Sequence, residues 1–173
     1  LPLKENFSPS YAGAVSLFIN DTLRSSRFKK DITVFGHTNY KKRFNQKYHN
    51  IDIKKNFFAS QNKEYVKKFI EIEKKINSQI IELHNRPVYL RYLVNDLKKK
   101  DYILYFHNDP LTMSGSKSIK ERSFLLNNCY RIVFNSNWSK KRFLQGMHNK
   151  FINSEKLLVV FQSAKKSKVN LNK

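Results

Sequence analysis

Hydrophobic residues along this chain recur in two alternating patterns. In some stretches they occupy every second position, which is typical of strands, and in others about every 3.6 positions, which is typical of helices. The two patterns follow one another along the chain and do not occupy separate halves. This order predicts a layered α/β fold, in which helices connect the strands of a mostly parallel sheet.

The patterns predict six or seven strands and five helices. The strand-like segments are the tail of a strand at 1–3, then 31–35, a weaker segment at 50–54, and 80–83, 102–106, 130–134 and 157–161. The predicted helices cover about 11–29, 63–79, 88–97, a segment that begins near 121, and 139–147. Because 173 residues are too few for two ordinary domains, we expect one domain over residues 1–164, followed by a linker or chain end without apolar periodicity at 165–173.

Three of the predicted strands end in polar residues. Open parallel sheets bind their ligands just beyond the carboxyl ends of the strands, so these residues are candidates for one wall of a cleft. The candidates are His84, Asn85 and Arg86 after the strand at 80–83, His107, Asn108 and Asp109 after the strand at 102–106, and Asn135 and Ser136 after the strand at 130–134.

The two histidines at strand ends, His84 and His107, offer the most chemistry. An imidazole can donate to or accept from a bound hydroxyl, and its ordinary pKa near 6.5 makes it responsive to its neighbours. Asp109 lies two residues after His107, a spacing that suits a polar turn orienting the ring. The alternative is a partly exposed loop histidine without a role, and the pattern leaves both interpretations open.

Helix starts account for some of the polar residues in the same part of the chain. Glu121 follows Ser118 by three residues, which is the spacing of a capping box, so its first interpretation is a helix-start residue. Ser136 or Asn137 can cap the helix that begins near Trp138. Capping is their first interpretation as well, although both residues could also line the cleft.

The loop before the first helix is a second kind of candidate site. Residues 9–14 are small or turn-forming and include Gly13, and a flexible loop at a helix N-terminus lets phosphates approach free N–H groups. The dinucleotide pattern Gly-x-Gly-x-x-Gly and the P-loop pattern are both missing from the sequence. A tight-turn glycine is therefore the simpler interpretation of Gly13.

The charge of the chain is extreme. There are 34 Lys and Arg against 13 Asp and Glu, which gives a formal net charge of +21. Such a field attracts polyanions and anionic membranes, although a lysine-rich compositional bias explains it equally well. Residues 40–58 mix lysines and arginines with five aromatics, which suits a membrane interface, a nucleic-acid surface, or aromatics packed inward beneath a solvated basic face.

Several classes of site find no support in the sequence. No apolar run approaches the roughly 20 residues of a membrane helix, and no signal-peptide pattern starts the chain. The single cysteine, Cys129, falls among apolar residues late in a helix and is predicted to be a buried structural thiol. Metal-binding spacings and the Gly-x-Ser-x-Gly pattern of serine hydrolases are also missing.

Taken together, these residues resemble the N-terminal half of a GT-B glycosyltransferase of the GT4 type. The resemblance covers nearly the whole chain, and the order and spacing of its elements are more specific than any single element. The elements are Glu5-Asn6-Phe7-Ser8-Pro9 with Gly13-Ala14, His84-Asn85-Arg86-Pro87, His107-Asn108-Asp109-Pro110, Glu121-Arg122, and Ile132-Val133-Phe134-Asn135-Ser136.

The resemblance implies a Rossmann-like domain with helices on both faces of its sheet, one half of a GT-B architecture. The implied reaction moves a sugar from a nucleotide-sugar donor to a lipopolysaccharide or other surface-glycan acceptor, with no metal or cofactor and with retention of configuration. Gly13 and Ala14 match the donor-phosphate loop, although the family usually has paired glycines, and His107 matches the histidine at the reacting centre. The implied cleft and acceptor residues are His84, Asn85, Arg86, Asn108, Asp109, Glu121, Asn135 and Ser136.

This sequence lacks the residues that the family's second domain supplies to grip the donor. The resemblance therefore implies an acceptor-binding half over residues 1–164, the start of an interdomain linker at 165–173, and no sugar transfer by this chain alone. The expected partners are a nucleotide-sugar, a glycan or glycolipid acceptor and the anionic inner face of the cell membrane, reached from the cytoplasm, and not nucleic acid. Two alternatives stay open: a basic nucleic-acid-binding α/β protein and a carbohydrate-binding domain without catalysis.

Overall fold

The computed structural model describes residues 1–53, 60–151 and 154–162. Within these ranges five α-helices alternate with six strands, which confirms the predicted α/β class. The helices are α1 (Ala14–Ser25), α2 (Gln61–Ile76), α3 (Pro87–Asp96), α4 (Ile119–Asn128) and α5 (Asn137–Leu144). The strands are β1 (Val34–Gly36), β2 (Tyr48–Asn50), β3 (Ile80–His84), β4 (Asp101–Phe106), β5 (Arg131–Phe134) and β6 (Leu157–Val159).

The four later strands form a parallel sheet in the order β3-β4-β5-β6, and β1 and β2 form a separate parallel pair. In the larger sheet His84 is in register with Tyr105, and Phe106 with Phe134. This register brings the carboxyl ends of β3, β4 and β5 to one edge of the sheet. The residues that follow these three strands therefore meet there, as the sequence predicts.

The chain start, predicted as the tail of a strand, forms no strand ladder. Instead, the Leu1 amine donates to the Phe35 carbonyl at 2.8 Å, while the Leu3 N–H donates to the hydroxyl of Tyr89 at 3.2 Å. Leu1 packs against the apolar cluster next to β1, and Leu3 lies in the core of the larger sheet. Residues 1–3 thus connect the two sheets through side chains and isolated hydrogen bonds.

Helices cover both faces of the larger sheet. Successive side chains of β4 point to opposite faces, so Tyr105 and Phe106 contact different helices. The ring of Phe106 packs against Phe143 of α5, with centroids 5.6 Å apart, whereas Tyr105 faces Phe18 of α1 at 6.3 Å. This two-sided covering is typical of a Rossmann-like sheet.

One core lies under the α5 side of the sheet. Its fully buried members come from the sheet and from the helices on that side, and include Leu90 of α3, Leu104 of β4, Leu125 of α4 and Ile132 of β5. Cys129 at the end of α4 is buried as predicted, and burial raises the pKa of its thiol to about 12. A thiol with this pKa is protonated at neutral pH, as expected for a structural cysteine.

The first helix is shorter than the predicted segment at 11–29. Gly13 has an extended backbone immediately before α1, and Ser26 has one immediately after it. Tyr11 lies one helical turn before Val15 and continues the apolar spacing, but it is 62% exposed. Phe28, near the other end of the predicted segment, is off the apolar face and 54% exposed. The prediction overestimates the helix because the aromatic residues at its two ends do not contribute to the core.

The remaining boundaries differ by a few residues at most. The strand predicted at 31–35 is β1, which begins three residues later, and the weaker strand predicted at 50–54 corresponds to β2 at Tyr48–Asn50. Residue 54 lies outside the described residues, as do residues 55–59 and the predicted linker at 165–173. The predicted final strand is β6, which ends at Val159.

The start of α4 confirms the capping box. The Ser118 hydroxyl accepts from the Glu121 N–H at 3.2 Å, and the Glu121 carboxylate accepts from the Ser118 N–H at 2.9 Å. Buried Arg122 then joins this helix start to the end of α5, because its guanidinium donates to the carbonyls of Lys117 and Gln145 at 2.8 and 2.6 Å. These bonds fix the loop between β4 and α4.

Candidate functional site

The backbone of His107 is held by asparagine side chains from both neighbouring strands. The His107 N–H donates to Oδ1 of Asn85 at 2.8 Å, and the His107 carbonyl accepts from Nδ2 of Asn135 at 2.8 Å. The backbone of Asn85 is left-handed, with φ of 53°, a conformation that asparagine adopts more readily than most residues. We call His84, Asn85, His107 and Asn135 the strand-end cluster.

The two imidazole rings of the cluster contact each other. Nδ1 of His84 lies 3.0 Å from Nε2 of His107, and Nε2 of His84 lies 3.5 Å from the Glu82 carboxylate. The remaining ring nitrogen of His107, Nδ1, contacts the side-chain amide of Gln162. Four side chains from β3, the end of β4 and the segment after β6 therefore form one continuous chain of polar contacts.

Both histidines are neutral at physiological pH. Burial lowers the pKa of His84, although the nearby Glu82 carboxylate partly opposes this effect. Burial, together with the neighbouring His84, lowers the pKa of His107 from 6.5 to about 4. A neutral imidazole has one donor and one acceptor nitrogen, so the two rings can hydrogen-bond each other, and Nδ1 of His107 can pair with a neutral polar group such as an amide or a hydroxyl.

A small, shallow and open recess lies beside His107. The ring of Phe18 closes one side of it and meets the His107 ring edge to face, with centroids 5.0 Å apart. The other lining residues include Tyr105, Val133, Asn135, Val160 and Gln162. An apolar wall with a few oriented polar groups is the usual make-up of a small-molecule site.

Asp109 does not orient the ring of His107, contrary to the prediction. Its carboxylate accepts from Arg142 Nη2 at 3.0 Å and from the N–H of Leu111 at 3.0 Å. Desolvation would raise the pKa of Asp109, but these hydrogen bonds outweigh it and lower the pKa. The carboxylate that reaches the histidine pair is instead Glu82, because it shares a strand face with His84.

Of the other predicted site residues, Arg86 bonds the cluster, whereas Ser136 and Glu121 make helix-start contacts. Arg86 donates to the carbonyl of Asn85 at 2.8 Å, and Asn108 is exposed. Ser136 caps α5 by accepting from the Ser139 N–H at 3.2 Å. Glu121 is part of the α4 capping box and pairs with Arg91 at 3.3 Å. The capping interpretation of Ser136 and Glu121 is confirmed by these bonds.

The loop predicted to approach donor phosphates is occupied by a carboxylate of the chain itself. Oε1 of Glu5 accepts from the Ser16 N–H at 2.9 Å, which satisfies one of the free donors in the first turn of α1. A Cβ at position 13 would lie 2.3 Å from that oxygen, so only glycine leaves room for Glu5 there. Gly13 directly precedes the helix that begins at Ala14 and carries Phe18, which contacts His107.

Sequence reasoning missed three members of this site. Glu82 could have been predicted from the strand pattern, because residues two apart on a strand point to the same face and His84 follows Glu82 by two residues. Phe18 falls among the apolar residues of the predicted first helix, and nothing in that pattern indicates a contact with His107. Gln162 is distant in sequence from His107, and only the pairing of β5 with β6 brings it near.

Among the described residues, no group of three or more His, Cys, Asp and Glu side chains is arranged to hold a metal ion. In the same part of the chain, no helix has the length and apolar character needed to cross a membrane. A scan against protein-family models and a search of curated proteins found no match to this chain.

Proposed function

We propose that this chain is the acceptor-binding domain of a GT-B glycosyltransferase of the GT4 type. The reaction transfers a sugar from a nucleotide-sugar to a lipopolysaccharide or other surface-glycan acceptor and uses no metal or cofactor. The observation that carries the proposal is the strand-end cluster, in which His84, Asn85, His107 and Asn135 meet at the carboxyl edge of a parallel sheet.

The chemistry of the cluster suits sugar hydroxyls. Its groups are amides and neutral imidazoles, which can both donate and accept hydrogen bonds, as sugar hydroxyls do. Phe18 supplies an apolar surface beside them. In this proposal His107 contacts the sugar at the reacting centre, while His84, Asn85 and Arg86 face the acceptor.

The acceptor and the membrane that carries it are reached through a basic and aromatic surface. Tyr11 and Tyr40 stack at 4.4 Å and are 62% and 37% exposed, and three exposed basic residues follow Tyr40 directly in the sequence. Phe28, 54% exposed, lies under Arg27 with the guanidinium 4.7 Å from the ring centroid. Aromatic rings beside cations suit the interface of an anionic bilayer, so the proposed location is the cytoplasmic face of the cell membrane.

The test is substitution of His107 in the full-length product of the gene. Nucleoside diphosphate release is measured from a panel of UDP-, GDP- and ADP-sugars in the presence of lipopolysaccharide. We expect His107→Ala to lower kcat/KM by about 100-fold, because it removes a group that contacts the reacting centre. The matched control is His49→Ala, which removes an exposed histidine on β2 and should change kcat/KM less than about twofold.

Two outcomes would count against the proposal. If His107→Ala retained the kcat/KM of the wild type, His107 would have no part in the transfer. If the full-length product released no nucleoside diphosphate from any sugar in the panel, the cluster would belong to a binding domain without catalysis.

A further inference from the structure

The polar contacts through the histidine pair admit only two arrangements of protons. Two neutral imidazoles joined by one hydrogen bond must consist of one donor and one acceptor. In the first arrangement His107 donates from Nε2 to Nδ1 of His84, and His84 keeps its proton on Nε2. In the second, His84 donates from Nδ1 to Nε2 of His107, and Nε2 of His84 is unprotonated.

Glu82 distinguishes the two arrangements. Its carboxylate lies 3.5 Å from Nε2 of His84 and can only accept. In the second arrangement, the lone pair of an unprotonated Nε2 would face this anion, which is repulsive. In the first, an N–H faces it, which is favourable even at this distance. The carboxylate therefore favours the first arrangement along the whole chain of contacts.

We infer that Glu82, acting through His84, is the positioning residue that fixes His107 with its proton on Nε2 and presents Nδ1 to the recess as a hydrogen-bond acceptor. The contact between Nδ1 of His107 and Gln162, at the other end of the series from Glu82, agrees with this arrangement of protons. The atom of Gln162 that meets Nδ1 of His107 is Nε2, which is a donor. Each polar atom in the series then has a complementary partner from Glu82 to Gln162.

This assignment limits what can bind at His107. Gln162 lines the recess, and its side-chain amide contacts Nδ1 of His107. A ligand that bonds this nitrogen must displace the amide and must itself supply a hydrogen-bond donor. A sugar hydroxyl can donate, whereas a fully ionised phosphate oxygen cannot. The statement about the ligand depends on the proposed function, but the tautomer of His107 does not.

The tautomer is measured directly by NMR on the 173-residue chain labelled with ¹⁵N in its histidines at pH 7. Protonated and unprotonated ring nitrogens of a neutral imidazole have well-separated ¹⁵N shifts, and spectra of His84→Gln and His107→Gln assign the two rings. We expect Nε2 of His107 to carry the proton. A proton on Nδ1 of His107 in the wild-type chain would overturn the inference without any variant.

The role of Glu82 is tested with Glu82→Gln. Because the amide can donate as well as accept, both arrangements become allowed, and the Nε2–H to Nδ1–H ratio at His107 should fall by about tenfold. Glu82 is half exposed, so the substitution should leave the backbone amide spectrum unchanged. The control is Glu71→Gln, an exposed carboxylate on α2 that should leave the ratio unchanged.

Equal tautomer ratios in Glu82→Gln and Glu71→Gln would show that Glu82 does not position His107. The experiment needs no substrate, so its result is independent of the turnover measurements. A glycosyltransferase with the opposite tautomer would disprove only this inference. An inactive protein with the expected tautomer would disprove only the proposed function.

Discussion

The lowered pKa of His107 makes the stability of the folded chain depend on pH. Its folded pKa is about 4 because burial, reinforced by the nearby His84, disfavours the charged ring, whereas the ordinary value is 6.5. Between these two pH values the unfolded chain takes up a proton that the folded chain does not. The contribution of His107 is therefore complete above about pH 6.5 and is lost as the pH falls toward 4.

We predict that the free energy of unfolding falls on acidification and that His107 causes part of the fall. The free energy of unfolding is measured with urea at pH 7 and at pH 4.5. Between these two pH values the wild type should lose on the order of 2 kcal/mol more than His107→Gln does. His49→Gln, at an exposed histidine of β2, should keep the wild-type loss. If His107→Gln lost as much free energy as the wild type, the imidazole of His107 would titrate normally in the folded chain.

At the scale of the element, the start of α1 depends on a residue that precedes the helix. Glu5 accepts from the Ser16 N–H, and Gly13 leaves the space that this carboxylate fills. An anion at a helix N-terminus is favourable because of the unpaired N–H groups and the helix dipole. A phosphate at this loop, which the resemblance implies, would have to displace Glu5.

A double-mutant cycle tests this arrangement. Gly13→Ala should cost about 1 kcal/mol, because a Cβ there would lie 2.3 Å from Oε1 of Glu5 and push the carboxylate off Ser16. In the Glu5→Ala background the same substitution should cost close to nothing. The free energies are measured by urea unfolding, and additive costs would show that Glu5 does not cap α1 in solution.

At the scale of the whole molecule, the excess of positive charge determines which surfaces attract the chain. A net charge of +21 is a long-range field, but salt at physiological strength screens exposed charges beyond about 8 Å. Selective attachment to a membrane therefore needs short-range contacts in addition. Tyr11 and Tyr40, exposed next to basic residues, are the proposed source of these contacts.

We predict that the chain binds phosphatidylglycerol-containing vesicles and not phosphatidylcholine vesicles at about 0.15 M salt. Tyr11→Ser with Tyr40→Ser should weaken this binding about tenfold, because two rings no longer enter the interface. Trp138→Ser, at a comparably exposed aromatic of α5, should change it little. Cosedimentation measures the binding. Tighter binding to single-stranded RNA than to vesicles at this salt would favour the nucleic-acid alternative.

The layered α/β class and much of the strand-end cluster could be predicted from the amino-acid sequence alone. Both depend on local information, because a strand or a helix imposes its own period on the residues within it. The carboxyl ends of neighbouring parallel strands meet at one edge, so polar residues at His84, His107 and Asn135 could be expected to approach one another. The ends of α1 were misjudged because Tyr11 keeps the helical period while remaining exposed, and Phe28 near the other end of the predicted segment is exposed as well.

The hydrogen-bond partners of these residues, by contrast, depend on how the chain folds in three dimensions. Asp109 is close to His107 in sequence but bonds Arg142 of α5, while His107 contacts Gln162 from beyond β6. Glu5 similarly reaches α1 across the intervening loop. The physical reason is that hydrogen bonds depend on distance in space, and strand pairing and helix packing bring together residues that are far apart in the chain. The sequence could therefore predict where the strand-end cluster lies, but not which side chain holds each of its atoms.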